Sequence, residues 1–319
     1  MSSRSVLLVS HVRREEALRA TIETAQLLAS QGIQPVMGDS DRDALLQWAA
    51  AQSEGEGTGF EAQVANIAVL NRDVHVAQLE LCIVLGGDGT ILKAAEVVRE
   101  SNTPLLGINL GHVGFLAESE RDGLVDAVQR VVERDYLVKE RLTIDVTVEV
   151  AGEVVYSSWA LNECTVEKSA AEKMIEVTVE VDERPLTSFG ADGIVMSTPT
   201  GSTAYAFSAG GPVVWPSVEA LLLVPISAHA LFARPLVISP DSMMAVEVSR
   251  DSSGNGVLWC DGRRNTALPR GARVEVKRSA YSVRLARFRQ GAFTDRLVAK
   301  FALPVSGWRG TSRPIDEVL

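Results

Sequence analysis

The stretch CIVLGGDGTILKAAE, Cys82 to Glu96, predicts a buried strand, a glycine turn and a helix. The uninterrupted apolar run at 81–85 is typical of a parallel strand that is buried on both faces. Gly86 and Gly87 let a ligand approach the backbone closely, and a helix N-terminus favours an anion such as phosphate. Thr90 can cap the helix that starts there. The turn is therefore a candidate ligand-binding loop at the carboxyl end of a sheet strand.

Strands and helices alternate on both sides of this turn. Apolar strands are predicted at 5–10, 34–38, 81–85 and 104–110, and helices with an apolar stripe at 14–30, 90–100 and 121–134. Such a series implies a parallel sheet. We therefore expect a Rossmann-like α/β domain at residues 1–137. The acidic, glycine-rich segment 50–63 is interpreted as a mobile loop without a functional role.

The periodicity changes from helical to alternating after Tyr136. RLTIDVTVEV (141–150) and MIEVTVEVD (174–182) alternate apolar and polar residues, and further short strands follow as far as residue 288. This pattern predicts a mostly β domain at 138–292, built as a β-sandwich or as layered sheets. The C-terminal tail, 293–319, begins with a helical pattern, and we expect it to pack back on the α/β domain.

Composition excludes several classes of function. Hydrophobic residues make up 46% and charged residues 23% of the 319 residues, as in ordinary globular proteins. The net charge of −10 argues against a nucleic-acid partner. No apolar run approaches the ~20 residues of a membrane span, and the N-terminal one is too short for a signal peptide. The three cysteines and four histidines lack disulfide or metal-ligand spacing. We therefore expect a cytoplasmic protein with neither a membrane partner nor a structural metal.

Asp88 stands in the middle of the glycine turn, where its charge would repel a phosphate. A hydroxyl group is a more suitable partner, because the carboxylate can accept its hydrogen bond and take its proton as a phosphoryl group arrives. Phosphoryl transfer has a loose transition state, so orienting the hydroxyl is sufficient. On this interpretation Asp88 serves the acceptor and the glycine amides serve the phosphate donor. The alternative is a hydrogen bond from Asp88 to its own turn.

Two further segments carry polar groups suited to a ligand. FGADGIVMSTPTGSTAYAFSAGGP (189–212) consists mostly of small and hydroxyl-bearing residues, with Asp192 as an acceptor and Tyr205 as an aromatic face. The alternative for this segment is a solvent-exposed loop. Asn162 and Glu163 form an amide–carboxylate pair that suits the vicinal hydroxyls of a ribose, although such a pair alone is more often a surface feature.

Together, GGDGT (86–90), the Asn162–Glu163 pair and TPTGSTAYAFSAGGP (198–212) resemble the bacterial NAD kinase family. GHVGFLAE (111–118) and RPLVISP (234–240) add to the resemblance, which extends from Ser5 to about residue 303. GGDGT also occurs in diacylglycerol and sphingosine kinases and in phosphofructokinases. The specific part is TPTGSTAY after the ADG triplet.

The resemblance implies that NAD and ATP give NADP and ADP, with Asp88 as acceptor of the proton from the 2′-hydroxyl of the adenosine ribose. It implies Mg²⁺ supplied with ATP, inorganic polyphosphate as donor in some members, and a homodimer or homotetramer. The residues that it assigns to nucleotide binding are Gly86, Gly87, Gly89, Thr90, Lys93, Asn162, Glu163, Lys173, Asp192, Thr203, Ala204, Tyr205, Ala206, Phe207 and Ser208.

Two other functions compete with this one. A lipid kinase of the diacylglycerol type would also use GGDGT, but it needs a broad apolar acceptor groove, whereas the second domain offers a hydroxyl-rich segment. A non-catalytic NAD(P) sensor would keep the binding residues and lose catalysis. The presence of Asp88 argues against the sensor.

Overall fold

The computed structural model describes residues 4–53, 64–111, 114–171, 173–231, 233–288 and 293–305. The chain forms two compact units, one made of residues 1–139 with 284–319 and the other of residues 140–283. The first unit is thus discontinuous in sequence. None of the described helices is long and apolar enough to cross a membrane.

The strands are β1 (Ser5–Ser10), β2 (Gln34–Met37), β3 (Ala68–Val69), β4 (Leu81–Leu85), β5 (Leu105–Asn109), β6 (Ser119–Glu120), β7 (Leu137–Arg141), β8 (Ile144–Val150), β9 (Glu153–Ala160), β10 (Glu163–Lys168), β11 (Ile175–Val181), β12 (Arg184–Ala191), β13 (Gly193–Ser197), β14 (Leu221–Ile226), β15 (Leu236–Ile238), β16 (Met244–Val248), β17 (Gly256–Cys260), β18 (Arg264–Leu268), β19 (Arg273–Arg278) and β20 (Val283–Arg287). The helices are α1 (Glu15–Ser30), α2 (Asp39–Ser53), α3 (Asp88–Val98), α4 (Leu124–Glu133), α5 (Tyr205–Ser208) and α6 (Phe293–Phe301). Short 3-10 turns lie at Val76–Gln78, Arg99–Ser101, Arg121–Gly123 and Gly201–Thr203.

The sheet of the first unit has the strand order β3-β2-β1-β4-β5-β20-β7 within the described residues, with β6 beside β5. The pairs β1–β2, β1–β4 and β4–β5 are parallel, as the alternation of strands and helices predicts. Strands β1, β4 and β5 are buried along their whole length. The carboxyl end of β4 leads into the GGDGT turn, and the loop of residues 114–118 lies beyond the carboxyl end of β5.

Strand β20 lies in the first sheet, although its sequence suggested a strand of the β-rich domain. It pairs in parallel with β5 through Leu285 and Leu105. The strand is buried at four of its five residues, as is usual for a strand inside a parallel sheet, and its two arginines donate to hydrogen-bond acceptors of the first unit. Arg284 donates to the Asn102 carbonyl, and Arg287 donates to the Glu118 carboxylate.

Helix α2 was not predicted from the sequence. It has Asp39 and Asp41 in its first turn, where carboxylates favour a helix N-terminus, and it buries Leu45 in the core of the first unit. The segment 50–63, interpreted as a mobile loop, begins inside this helix, and its residues 54–63 lie outside the described part of the chain.

The second unit contains two antiparallel six-stranded sheets, in agreement with the β-sandwich or layered-sheet prediction. Their orders are β15-β14-β13-β10-β17-β18 and β12-β11-β16-β19-β8-β9. One apolar core joins buried residues of both sheets, such as Val166, Leu258, Val177 and Val246. The alternation read from the sequence therefore reports which side chains face this core.

Candidate active site

The GGDGT turn places Asp88 at the start of helix α3. The helix begins at Asp88, with Gly87 as its N-cap in an extended conformation. Thr90 is therefore the third helical residue, and the prediction that it caps the helix is wrong. Its buried side chain instead packs over Gly86, where a Cβ atom would lie 2.5 Å from Thr90 Oγ1. This close approach explains the need for glycine at position 86.

The three glycines of the turn differ in what their amides can do. The Gly86 N–H donates to the Ile108 carbonyl, so it links β4 to β5 and is used within the sheet. Gly87 and Gly89 lie at the N-terminus of α3, where backbone N–H groups and the helix dipole favour an anion. The predicted anion-binding role therefore fits Gly87 and Gly89 better than Gly86.

The Asp88 carboxylate is held by backbone N–H groups of a different loop. Phe115 N–H donates to Oδ2 at 3.2 Å, and Leu116 N–H donates to Oδ1 at 3.1 Å. The alternative of a hydrogen bond within its own turn is thus not what the structure shows. Gly114 completes this packing, because a Cβ atom there would lie 2.5 Å from Asp88 Oδ1.

Lys93 forms an ion pair with helix α2. Its Nζ atom lies 2.7 Å from both carboxylate oxygens of Asp41, whose side chain is largely buried. The lysine is therefore held in a fixed position one and a half turns into α3. Its predicted contact with a nucleotide stays a prediction.

Asn162 and Glu163 are both buried, so the surface interpretation of this pair is wrong. The backbone N–H groups of Leu161 and Asn162 donate to the two carboxylate oxygens of Asp261, at 3.0 and 2.8 Å. The Asp261 N–H returns a bond to the Glu163 carbonyl at 2.9 Å. Arg264 then pairs with the same carboxylate at 2.9 Å. This network fixes the backbone of the pair at the start of β10.

Glu163 has an unusual electrostatic environment. Burial, and secondly the charge of Asp261, raise the pKa of Glu163 to about 8, although a hydrogen bond from the Tyr205 N–H favours the charged form. Within the described residues, no hydrogen-bond donor reaches its buried Oε2 atom. A buried carboxyl oxygen without a partner is costly, so a hydroxyl group that reached this atom would form a hydrogen bond that the protein alone does not supply.

The segment after β13 packs against the Asn162 backbone. A Cβ atom at Gly201 would lie 2.1 Å from the Asn162 carbonyl oxygen, so only glycine allows this approach. The Ser197 hydroxyl and the Thr198 N–H both donate to that carbonyl, at 3.1 and 2.9 Å. Residues 197–202 are therefore packed inside the second unit, and the interpretation as a solvent-exposed loop is wrong for this part of the segment.

The predicted binding residues 203–208 continue from this turn. Tyr205 and Phe207 are 39% and 40% exposed, so each presents an aromatic ring at the surface of the unit. Thr203 and Ala204 are partly buried, Ala206 is fully buried and Ser208 is exposed. Burial, and then the charge of Glu167, raise the pKa of Tyr205. The exposed rings can stack on a planar base.

Asp192 and Lys173 have different surroundings. The Asp192 carboxylate lies 2.6 Å from Lys168 Nζ, and this hydrogen bond holds the pKa of Asp192 below its usual range. Lys173 is exposed near the start of β11. The structure therefore groups Asn162, Glu163, Tyr205 and Asp192 in one unit through backbone and charge contacts, and it groups Asp88 with the 114–116 loop in the other unit.

Two residues of the second unit were missed by sequence analysis. Asp261 is the central acceptor beneath Asn162, and Lys168 is the partner of Asp192. The sequence carries a signal for the turn at Asp261, since an Asp-Gly pair between alternating segments indicates a hairpin. The structure shows this turn, and Asp261 has a left-handed backbone with φ 52°. The burial of its carboxylate depends on residues about a hundred positions away and leaves no local signal.

Among the residues that the structure describes, no three His, Cys, Asp or Glu side chains are grouped so that they could hold a metal ion. A divalent cation that is bound to a nucleoside triphosphate does not need a group of protein side chains to hold it. The three cysteines are free and buried.

Comparison with known proteins decides the family. The model of the ATP-NAD kinase N-terminal domain matches residues 6–136, and the model of the ATP-NAD kinase C-terminal domain matches residues 161–288. The chain belongs to the ATP-NAD kinase family. Membership makes it a kinase, a transferase of phosphoryl groups, and the lipid-kinase and sensor alternatives are not favoured.

Family members from three bacteria are similar to this chain over 72% to 99% of its length. The NAD kinase of Leifsonia xyli is 57% identical over 97% of this chain and 98% of its own. NAD kinase 2 of Streptomyces coelicolor is 68% identical over 72% of this chain and 76% of its own. The NAD kinase of Thermobifida fusca is 53% identical over 99% of this chain and 94% of its own.

Solved structures show the same fold. Yeast NADH kinase in complex with NADH superposes with a TM-score of 0.82 at 20% identity, over 98% of this chain and 91% of the yeast chain. The NAD kinase of Archaeoglobus fulgidus in complex with ATP gives a TM-score of 0.67 at 21% identity, over 93% of this chain and 98% of the archaeal chain. The two-domain architecture predicted from the sequence is thereby confirmed.

Proposed function

We propose that the chain transfers the γ-phosphoryl group of ATP to the 2′-hydroxyl of the adenosine ribose of NAD, giving NADP and ADP, with Asp88 as the proton acceptor. One observation carries the assignment of Asp88. Its carboxylate lies at the N-terminus of α3 and is oriented by two N–H groups at 3.1 and 3.2 Å. The amides of Gly87 and Gly89, at the same helix terminus, are suited to the phosphates of the donor.

The proposed step balances with one proton acceptor. The 2′-hydroxyl oxygen attacks the γ-phosphorus, the bond between the γ-phosphorus and the bridging oxygen breaks, and ADP leaves. The hydroxyl proton passes to Asp88. Because the transition state is loose, the main role of Asp88 is to orient the hydroxyl through its hydrogen bond.

The dinucleotide is assigned to the polar residues of the second unit. Glu163 offers an Oε2 atom without a partner to a ribose hydroxyl, and Asn162 stands beside it on a fixed backbone. Asp192 accepts hydrogen bonds from amino or hydroxyl groups, and Tyr205 offers a ring for stacking. The assignment of Thr203, Ala204, Ala206, Phe207 and Ser208, and of Thr90, Lys93 and Lys173, follows from the family resemblance.

Mg²⁺ is proposed as part of the Mg–ATP substrate. The cation neutralises phosphate charge and usually keeps several of its waters, so it does not need a cage of protein ligands. Inorganic polyphosphate is a second phosphoryl donor to be tested beside ATP. A cytoplasmic location agrees with three free, buried cysteines.

A homodimer or homotetramer is proposed on the basis of exposed apolar side chains. The second unit exposes Trp215, Val218, Leu231 and Val237, and exposed apolar patches mark protein interaction sites. Sedimentation across a dilution series, with specific activity measured at each concentration, tests this. A fully active monomer at all concentrations would contradict it.

The catalytic assignment is tested with purified protein, NAD and Mg–ATP, with NADP measured by a coupled assay. We expect NADP formation by the natural chain. Asp88→Asn should lower kcat by roughly a thousandfold or more, because the amide cannot take the proton and its NH2 group would face one of the two N–H donors that orient the carboxylate, with NAD binding little changed. A drop of less than about tenfold would show that Asp88 only shapes the turn.

A further inference from the structure

The orientation of Asp88 depends on the loop that follows β5. Both hydrogen bonds recorded for its carboxylate come from this loop, from the N–H groups of Phe115 and Leu116. The Glu118 N–H anchors the same loop to β5 through the Gly107 carbonyl at 2.7 Å. Any movement of the 115–118 backbone therefore moves the two donors that aim the carboxylate.

The carbonyl groups of this loop are held from the opposite side by two arginines. Arg287, the last residue of β20, donates to the Ala117 carbonyl at 3.0 Å and to the Phe115 carbonyl at 3.5 Å. Arg296, on helix α6, donates to the Phe115 carbonyl at 3.3 Å. Phe115 thus gives its N–H to Asp88 and its carbonyl to guanidinium groups from the C-terminal part of the chain.

A buried carboxylate fixes the two arginines. The Glu118 side chain is 1% exposed, and its Oε2 atom lies 2.8 Å from Arg287 and 2.7 Å from Arg296. Its Oε1 atom accepts the Phe288 N–H at 2.8 Å. Because charge-assisted bonds to a buried carboxylate are short and directional, these residues have little freedom.

Helix α6 also touches the loop through aromatic rings. The Phe115 ring lies 6.1 Å from the Phe293 ring and 5.7 Å from the Phe301 ring, centroid to centroid, in tilted arrangements. Such pairs favour one relative position of the packed elements. The helix therefore contacts the Asp88-bearing loop by both polar and apolar groups.

We propose that Glu118, Arg287 and Arg296, here called the Glu118 cluster, are positioning residues for the phosphoryl transfer. They hold the 115–118 backbone so that its N–H groups aim the Asp88 carboxylate, and helix α6 becomes part of the catalytic apparatus without touching substrate. This inference rests on the proposed role of Asp88. It adds that the efficiency of Asp88 depends on residues near the C-terminal end of the described chain.

The test uses Arg296, the most exposed member of the cluster, so that folding is disturbed least. Arg296→Met removes the bonds to Glu118 and Phe115 and should lower kcat roughly ten- to a hundredfold, because small misplacements of a reacting group cost up to about a hundredfold. The KM for NAD and the dissociation constant of NAD should stay within about threefold, because the dinucleotide residues are elsewhere.

Arg296→Lys is the graded variant. It keeps the charge but cannot donate from a planar fork to two acceptors at once, so its kcat should lie between those of the natural chain and Arg296→Met. Arg284→Met is the matched control, because Arg284 lies on β20 and donates to the Asn102 carbonyl, away from the loop. The kcat of Arg284→Met should stay within about twofold of the value for the natural chain. The change in its melting temperature measures the stability that is lost when an arginine of the same unit is replaced.

A double-mutant cycle separates positioning from mere stability. If Arg296 acts through Asp88, adding Arg296→Met to Asp88→Asn should lower kcat by less than about threefold further. Full additivity, or a natural kcat in both Arg296 variants, would overturn the inference. Those results would not contradict the proposed function. That function would be contradicted if the natural chain formed no NADP, or if the Asp88→Asn variant stayed active.

Discussion

The Nζ atom of Lys93 lies 2.7 Å from both carboxylate oxygens of Asp41. This pair joins α3 to α2, and Asp41 is the more buried partner. Lys93→Met should therefore lower the free energy of unfolding by about 1–3 kcal/mol, because it leaves a buried carboxylate without its partner. Asp41→Asn should cost less, since the remaining lysine can reach water.

Urea unfolding of both variants measures this difference. The exposed pair of Arg19 and Glu15 on α1 is the control, and Glu15→Gln should cost at most about 0.5 kcal/mol, because it leaves the contact of Arg19 with the Trp48 ring in place. Equal losses for Lys93→Met and Glu15→Gln would contradict the prediction. If Lys93 contacts a nucleotide substrate, Lys93→Met should raise the KM for that nucleotide in kinetic assays, whereas Asp41→Asn should not.

Glu163 makes stability depend on pH. Burial raises its pKa from an ordinary 4.5 to about 8. Between these two pH values the folded chain therefore holds a proton that the unfolded chain has released. This contribution is fully present below about pH 4.5 and is lost as the pH rises toward 8. Between pH 5 and 8, the melting temperature of the natural chain should fall by several degrees more than that of Glu163→Gln, whose amide does not titrate.

Scanning calorimetry in matched buffers checks this difference. If the melting temperatures of the two proteins change by the same amount between pH 5 and 8, Glu163 is ionised in the folded protein and the prediction is wrong. Saturating NAD should reduce the difference, because a ribose hydroxyl would supply a donor to the Oε2 atom that lacks one in the protein alone.

Asp261 should be far more sensitive to substitution than an equivalent surface residue. Asp261→Asn replaces one acceptor oxygen by a donor beneath the N–H groups of Leu161 and Asn162, and removes the ion pair with Arg264. We expect a loss of about 2–4 kcal/mol in the free energy of unfolding, together with weaker NAD binding.

Asp182 provides a matched control for this substitution. Its backbone has φ 51°, against 52° for Asp261, and its exposed carboxylate also accepts two bonds, from Met243 and Ser242. Asp182→Asn should cost less than about 0.5 kcal/mol, because water can replace the lost contacts. Similar losses for the two variants in urea would show that burial is not the cause.

Tyr205→Ala should raise the dissociation constant and the KM of NAD more than it raises the KM of ATP. The exposed ring is expected to stack on a planar base, which by analogy with nucleic-acid sites contributes about 1–3 kcal/mol. Titration of NAD, with Tyr281→Ala as a control for loss of an exposed tyrosine in the same unit, measures the effect. A raised KM for ATP with an unchanged KM for NAD would assign Tyr205 to the donor instead.

The sequence predicted those features that depend on local pattern. Alternation identified strands such as β8 and β11, and the apolar run before GGDGT identified β4. Features that depend on partners distant in sequence were not predictable. The placement of β20 beside β5 and the burial of Asp261 beneath Asn162 both require contacts between residues at least 99 positions apart in the sequence.

Local chemistry also gave an ambiguous signal at two positions. Thr90 is a good N-cap residue by type, yet the extended backbone of Gly87 starts the helix earlier. Asn162 and Glu163 are polar residues that usually lie at the surface, yet the turn at Gly201 and the carboxylate of Asp261 cover them. In both cases packing decides against residue preference.

The position of β20 between β5 and β7 governs the order in which a growing chain can fold on the ribosome. Until residues 283–287 have been synthesised, the edges of β5 and β7 that they cover have no partner, and unpaired edges invite pairing with other chains. The second unit, whose residues are contiguous, can fold first, which reverses the usual N-terminal-first order. Helix α6 emerges later still, so on the inference drawn above a nascent chain orients Asp88 only after residues 293–301 have been synthesised.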